Sequence, residues 1–256
     1  MQTGALTGYI DIAQVALYVF WLFFAGLIYY LLRENKREGY PMVPDRNGFR
    51  AEGWPGVPPP KTFILADGNT RVAPRAEPAE TVNAVPTANW EGAARQPTGD
   101  PMLGGIGPGA YAQNRPDVPD HTFDDALPKI VPLRAAPEFW VATEDPDPRG
   151  MQVFGADWVY AGRIVDNWID RSEVVIRYFE IELEGSGDHV LLPQTYAKIN
   201  KRTRQIKVNA ILGAQFHDVP RLQKAETITL LEEEKLVGYY AGGLMYAKPT
   251  RLGPVL

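Results

Sequence analysis

The chain has no cysteine, so disulfides, thiolate metal sites and cysteine nucleophiles are all excluded. Histidine is scarce. The three present are His121, His189 and His217, and no H-E-x-x-H or similar spacing links them, so no metal site is expected. Nucleophile-elbow and phosphate-loop motifs are missing as well, which weighs against a membrane-anchored hydrolase built on Asp and Glu pairs. Positive charge is not in excess. Lysine and arginine total 26 against 31 acidic residues, a net charge of −5, and this argues against nucleic acid as a partner. The mean hydropathy of −0.23 excludes a chain made mostly of membrane spans.

Charge is also absent from one long stretch. Between Asp11 and Arg33 run 21 residues, IAQVALYVFWLFFAGLIYYLL, in which Gln14 is the single strongly polar side chain. A hydrocarbon core about 30 Å thick needs roughly 20 residues of helix, and a helix satisfies its own backbone groups there. Tyr9, Tyr29 and Tyr30 stand at the ends of the run as interfacial anchors, with Trp21 mid-span. A cleaved signal peptide does not fit, because the basic residues follow the run and no A-x-A pattern closes it. Asp11 precedes the run, while Arg33, Lys36 and Arg37 follow it, so the positive-inside rule places residues 1–10 outside and the bulk in the cytoplasm.

Beyond the span the composition divides the chain. Of 23 prolines, 19 lie between Pro41 and Pro148. Stretches such as WPGVPPPK (54–61) and TGDPMLGGIGP (98–108) cannot form helices or central strands. This is the composition of a disordered linker. Yet Phe49, Trp54, Phe63, Ile64, Leu65, Trp90, Tyr111, Phe139 and Trp140 are threaded through it. An extended segment that packs over another surface accounts for them better. From Gly150 strand-like runs appear: 158–166, 174–183, 189–193 and 205–210. Phe179, Ile181 and Leu183 alternate with Glu180 and Glu182, and Gly185–Ser186–Gly187 suits a hairpin. A small antiparallel barrel or sandwich follows. Thr227 is expected to cap a C-terminal helix that begins near Glu232–Glu234 and continues over Leu236–Ala247, with an interruption at Gly238, Gly242 and Gly243.

The stretches FWLFFAGLIYY (20–30), REGYP (37–41), PKTFIL (60–65), PTGDPM (97–102), GRIVDNWID (162–170) and LLEEEKLVGYYAGGLMYA (230–247) resemble, in order and spacing, the H subunit of the purple-bacterial photosynthetic reaction centre. The resemblance implies a non-catalytic subunit with a periplasmic N-terminus (1–10) and one transmembrane helix (11–33). An extended Pro/Gly-rich segment on the partner subunits (34–149) and a cytoplasmic PRC-barrel domain with a C-terminal helix (150–256) would follow, in the bacterial inner photosynthetic membrane. It implies that the chain binds no cofactor directly. Bacteriochlorophyll, bacteriopheophytin, quinone and non-haem iron would sit in two pigment-binding partners, with antenna polypeptides and lipids as further neighbours. The helix face around Gly26 would then pack on partner helices. A membrane-anchored PRC-barrel adaptor without pigments is the rival reading.

A buried quinone that takes up two electrons also needs two protons, and carboxylates with adjusted pKa values are suited to carry them. By themselves Asp166, Asp170, Glu173, Arg177 and Glu180 read as solvated strand and turn residues. The resemblance makes Asp170 and Glu173 proton-transfer residues tempered by Arg177, and leaves Asp166 and Glu180 open. It also implies an uptake site before KIVP (129–132), where the family carries an aspartate and a histidine pair. Here the pair is missing, and Asp120, His121, Asp124 and Asp125 are expected to replace it. Arg33, Lys36 and Arg37 either only fix topology or, with Lys61, hold lipid headgroups, and the resemblance favours lipid at Tyr30 and Lys61.

Overall fold

Asp11 starts the apolar helix α1, Ile12–Glu34, in a computed structural model that describes residues 11–42, 49–66, 68–75, 82–90 and 93–251. Tyr9 lies outside the described residues. The Asp11 carboxylate accepts from the Gln14 backbone N–H at 2.8 Å, and the Gln14 side chain accepts from the Asp11 N–H at 3.3 Å. The one polar residue of the apolar run therefore closes a capping box. No residue of α1 is buried within the chain, and residues 12–32 are exposed and free to meet lipid or other helices.

The described residues form two compact units, 11–75 with Trp90, and 82–89 with 93–251. In the first, a short 3-10 turn, Asn35–Arg37, ends the helix, and the hairpin β1 (Lys61–Ile64) with β2 (Thr70–Ala73) follows. In the second, β3 (Ala84–Pro86) pairs with β4 (Arg95–Pro97). The Pro-rich region thus contains two small two-stranded sheets, which its composition does not foretell. These strands have three or four residues and no central position, a setting in which proline is tolerated.

The barrel sheet is assembled from β5 (Ile130–Pro132), β6 (Gln152–Phe154), β7 (Tyr160–Asp170), β8 (Val175–Leu183), β9 (His189–Pro193), β10 (Ala197–Asn200) and β11 (Gln205–Val208). The order is β10-β11-β6-β7-β8-β9, and β5 also pairs with β7; all neighbours are antiparallel except β11 and β6. Strand β7 is the spine: β6 pairs with its first part (Val153↔Gly162) and β5 with its last (Ile130↔Asp170). Its register with β8 shifts between Ile164 and Asp166 and again between Trp168 and Ile169. Bulges of this kind increase twist, and the sheet curls into a half-barrel. At Gly162 an added Cβ would lie 2.1 Å from the Glu182 carbonyl oxygen, so the two strands approach closely only because that side chain is missing.

Phe179, Ile181 and Leu183 point into a core shared with Ile164, Trp168 and Leu192, as the alternation predicts. Glu180 departs from it: the opposite face is covered there, and the side chain is buried. The helix α2, Leu230–Tyr246, adds Tyr239 and Tyr240 to the core. Its cap is Thr229, not Thr227, and Glu232 completes a capping box. Nor do the glycines interrupt it. Gly238 and Gly242 let the helix backbone meet Gly109, and Gly243 lies against Ala210 and Ile211. The packing gained outweighs a helix-propensity cost of about 1 kcal/mol per glycine.

Candidate functional site

The β7–β8 turn is where acids gather. Asp170 ends β7, and its side chain has no solvent exposure. One carboxylate oxygen accepts from the Ser172 and Glu173 backbone N–H groups, at 2.9 and 3.0 Å. These bonds close the turn and are the local reason for an aspartate there. The other oxygen is buried without a hydrogen-bond partner and stands 3.5 Å from the Lys129 ammonium. Lys129 also lies 3.9 Å from Glu173, which is 56% exposed, and Glu173 is 3.9 Å from Arg177. Asp170, Glu173 and Arg177 are thus brought together through Lys129 and Glu173.

Asp170, Lys129 and Arg177 line a cleft of about 330 Å³ with Arg115, Asp120, Tyr178, Glu233 and Glu234. The Tyr178 hydroxyl donates to Glu233 at 2.7 Å. Burial pushes the Glu233 carboxyl above the usual carboxylate range; Asp120 and Asp170 add to this, while the Tyr178 bond and Arg177 oppose it. Burial and the Glu233 charge raise Tyr178 too, so it stays a donor. Glu233 and Tyr178 are functional candidates that sequence reasoning missed. Three consecutive glutamates at a helix start read as ordinary dipole complements, and nothing local announced that the middle one is covered.

Asp166 belongs to a different cluster. It faces Glu180 across β7 and β8, and Arg134 joins them at 3.1 and 2.5 Å. The Trp168 indole N–H donates to Glu180 at 2.9 Å, and the His189 ring lies 2.6 Å from its second oxygen. Burial pushes the Glu180 carboxyl up, but these hydrogen bonds outweigh it and hold it below its usual range.

The loop before KIVP closes on itself: the Thr122 N–H donates to the Leu127 carbonyl at 2.9 Å, and the Lys129 N–H to the Asp120 carbonyl at 2.8 Å. His121 and Asp124 are exposed on it. Asp125 is tied to Arg171 at 2.6 Å and to the Thr122 hydroxyl, and the Arg171 bond keeps its carboxyl well below the usual range. Asp125 is thus engaged in an ion pair, while His121 and Asp124 stand exposed on the loop.

At the end of α1, Arg37 is buried against Glu34 at 2.7 Å and donates to the Pro59 and Ala73 carbonyls at 2.8 and 3.0 Å. Lys36 donates to the Glu52 carbonyl at 2.5 Å. Both tie the helix end to the following chain. Lys61 lies 3.0 Å from Glu34 and over the Tyr30 ring, 5.7 Å from its centroid. Arg33 is half-buried.

Residues 4–135 match the family model for the H-chain N-terminal region of the photosynthetic reaction centre, and residues 143–215 match the PRC-barrel domain. The chain belongs to the reaction-centre H-chain family. It is therefore a membrane-anchored, pigment-free subunit of a photosynthetic reaction centre, associated with the other subunits of that complex. Among the described residues, no group of three or more acids or histidines forms a metal site. The two family matches also dissect the acid cleft. The H-chain region supplies Arg115, Asp120 and Lys129, the PRC barrel supplies Asp170, Arg177 and Tyr178, and α2, beyond both matches, supplies Glu233 and Glu234.

Proposed function

We propose that this H chain caps the cytoplasmic side of its partners' quinone sites and assists proton delivery to the secondary quinone through the cleft of Asp170 and Glu233, with Glu173 beside it on Lys129. The observation that carries this reading is the cleft itself. One acid there is raised above the usual carboxylate range by burial, and a second has a buried oxygen without a hydrogen-bond partner. The Lys129 ammonium lies beside both Asp170 and Glu173. Glu233 takes up and releases a proton more readily near neutral pH than an ordinary carboxylate does, and Lys129 and Arg177 keep the acids from repelling one another. Asp124 and His121, exposed on the preceding loop, are the groups left to collect protons from water.

Capping finds support in the groove beside the cleft. It is about 1000 Å³ and lined by Trp140, Val175, Ile176 and Val237, with Val174 67% exposed next to Glu173. An apolar face of that extent suits a protein partner. The helix direction, N-terminus periplasmic, follows from the basic residues after α1. A methyl group added at Gly26 would meet nothing within 4 Å, which leaves room for a partner helix. Tyr30, Lys61 and Arg33 remain the lipid-facing candidates at the helix end.

Flash-induced proton uptake in the intact complex tests the cleft. Asp170→Asn, Glu173→Gln and Glu233→Gln should each slow uptake with the second electron, by about tenfold or more. Glu182→Gln, paired to Arg163 on the barrel exterior, should not. Unchanged rates in all three variants would overturn the proposal. Near-infrared spectra of the gently purified complex decide against a pigment-free adaptor if bacteriochlorophyll bands accompany the chain.

A further inference from the structure

A cleft of about 340 Å³ lies just beyond the membrane helix and has no part in proton delivery. Its walls are Arg37–Pro41 from the helix exit, Arg50, and Arg71–Ala73 with Arg75 from β2 and the chain that leaves it. Arg37 forms an inner wall, but its guanidinium is spent on Glu34 and on two carbonyls. Arg50 and Arg71 are exposed and have no acid in ion-pair contact among the described residues, where Glu38 is the one carboxylate lining the space. The cleft is therefore net positive.

We propose that this cleft binds the phosphate group of an anionic membrane lipid. Three observations carry the proposal. The first is placement. The Glu34–Lys61 pair and the Arg37 bond to the Ala73 carbonyl pin the β1–β2 hairpin to the last turn of α1, so Arg71 is held within reach of the bilayer surface. The second is chemistry. Guanidinium groups present planar forks that match phosphate oxygens two at a time, which ammonium groups do not. The third is size and access. The volume suits one headgroup, and α1 is exposed over residues 12–32, so acyl chains have a surface to lie against. The site is separate from Tyr30 and Lys61, whose ammonium is already paired with Glu34.

Phosphate chemistry is shared by a lipid headgroup and a soluble phosphate, and the test separates them. The intact complex is reconstituted in nanodiscs containing phosphatidylglycerol, and the anionic lipid retained after detergent washing is counted by native mass spectrometry. Arg50→Gln with Arg71→Gln should weaken retention about 25-fold, or about fivefold per charge removed. Arg71→Lys should also weaken it, because the charge stays and the fork is lost. Lys198→Gln with Arg202→Gln removes the same charge from the barrel and should change nothing. Full retention in the double variant or in Arg71→Lys, or equal loss in the barrel control, overturns the proposal. Inorganic phosphate retained in place of phosphatidylglycerol by the washed wild-type complex would identify a soluble anion as the ligand and would also overturn it. Proton uptake is not the readout, so this result stands apart from the fate of the cleft at Asp170.

Discussion

Arg134 holds two buried carboxylates at once, and the barrel depends on that arrangement. Removing one partner of a buried ion pair leaves an uncompensated charge and costs about 3–5 kcal/mol, more than the pair itself contributes. Arg134→Met should therefore lower the unfolding midpoint by about 10 °C or more, read by a thermal melt of the purified complex. Adding Asp166→Asn and Glu180→Gln should recover much of the loss. The lowered and the raised glutamate act on stability with opposite pH signs. Glu180, held low, contributes stability that is present above its ordinary value of 4.5 and is lost as pH falls through its folded pKa. Glu233, held high, weakens the fold as pH rises from 4.5 through its folded pKa. Glu233→Gln should thus raise the melting temperature at neutral pH, with the gain vanishing below about pH 4.5; a constant gain at all pH values would refute the burial account.

At the scale of elements, the glycines of α2 show what a sequence reveals and what it hides. Strand β9 and the run of β8 were legible because alternation and a Gly-Ser-Gly turn are local signals. The membrane helix was legible because hydrocarbon imposes length and composition together. The continuity of α2 was not, since propensity counts Gly238, Gly242 and Gly243 as breakers, while Gly109, Ala210 and Ile211 come from far along the chain. The acid cleft was half legible for the same reason. Asp170 and Glu173 adjoin in sequence, whereas Lys129 and Glu233 reach them only through pairing of β5 with β7 and docking of α2. Packing can be set against propensity directly. Gly243→Ala gains about 1 kcal/mol of helix propensity but places a methyl 2.5 Å from Ile211 and 2.7 Å from the Ala210 oxygen. Overpacking costs about 1–3 kcal/mol, so a net loss is expected in thermal or denaturant unfolding.

For the molecule as a whole, the absence of cysteine gives a clean background for a topology measurement. Ser186, in the exposed turn between β8 and β9, is a suitable position. Ser186→Cys should react with a membrane-impermeant maleimide in inside-out vesicles and stay protected in right-side-out ones; the reverse pattern would overturn the proposed direction. The capping box at Asp11 and the Glu34 cluster with Lys61 and Arg37 have a further consequence for the bilayer. Between them lies the run of 21 uncharged residues 12–32, roughly 31 Å of helix against about 30 Å of hydrocarbon, so there is almost no surplus length. A thinner membrane would have to tilt the helix, and a thicker one would have to thin around it, at fractions of a kcal/mol per Å. Hydrophobic matching would then favour, for this subunit, bilayers whose hydrocarbon thickness is close to that span.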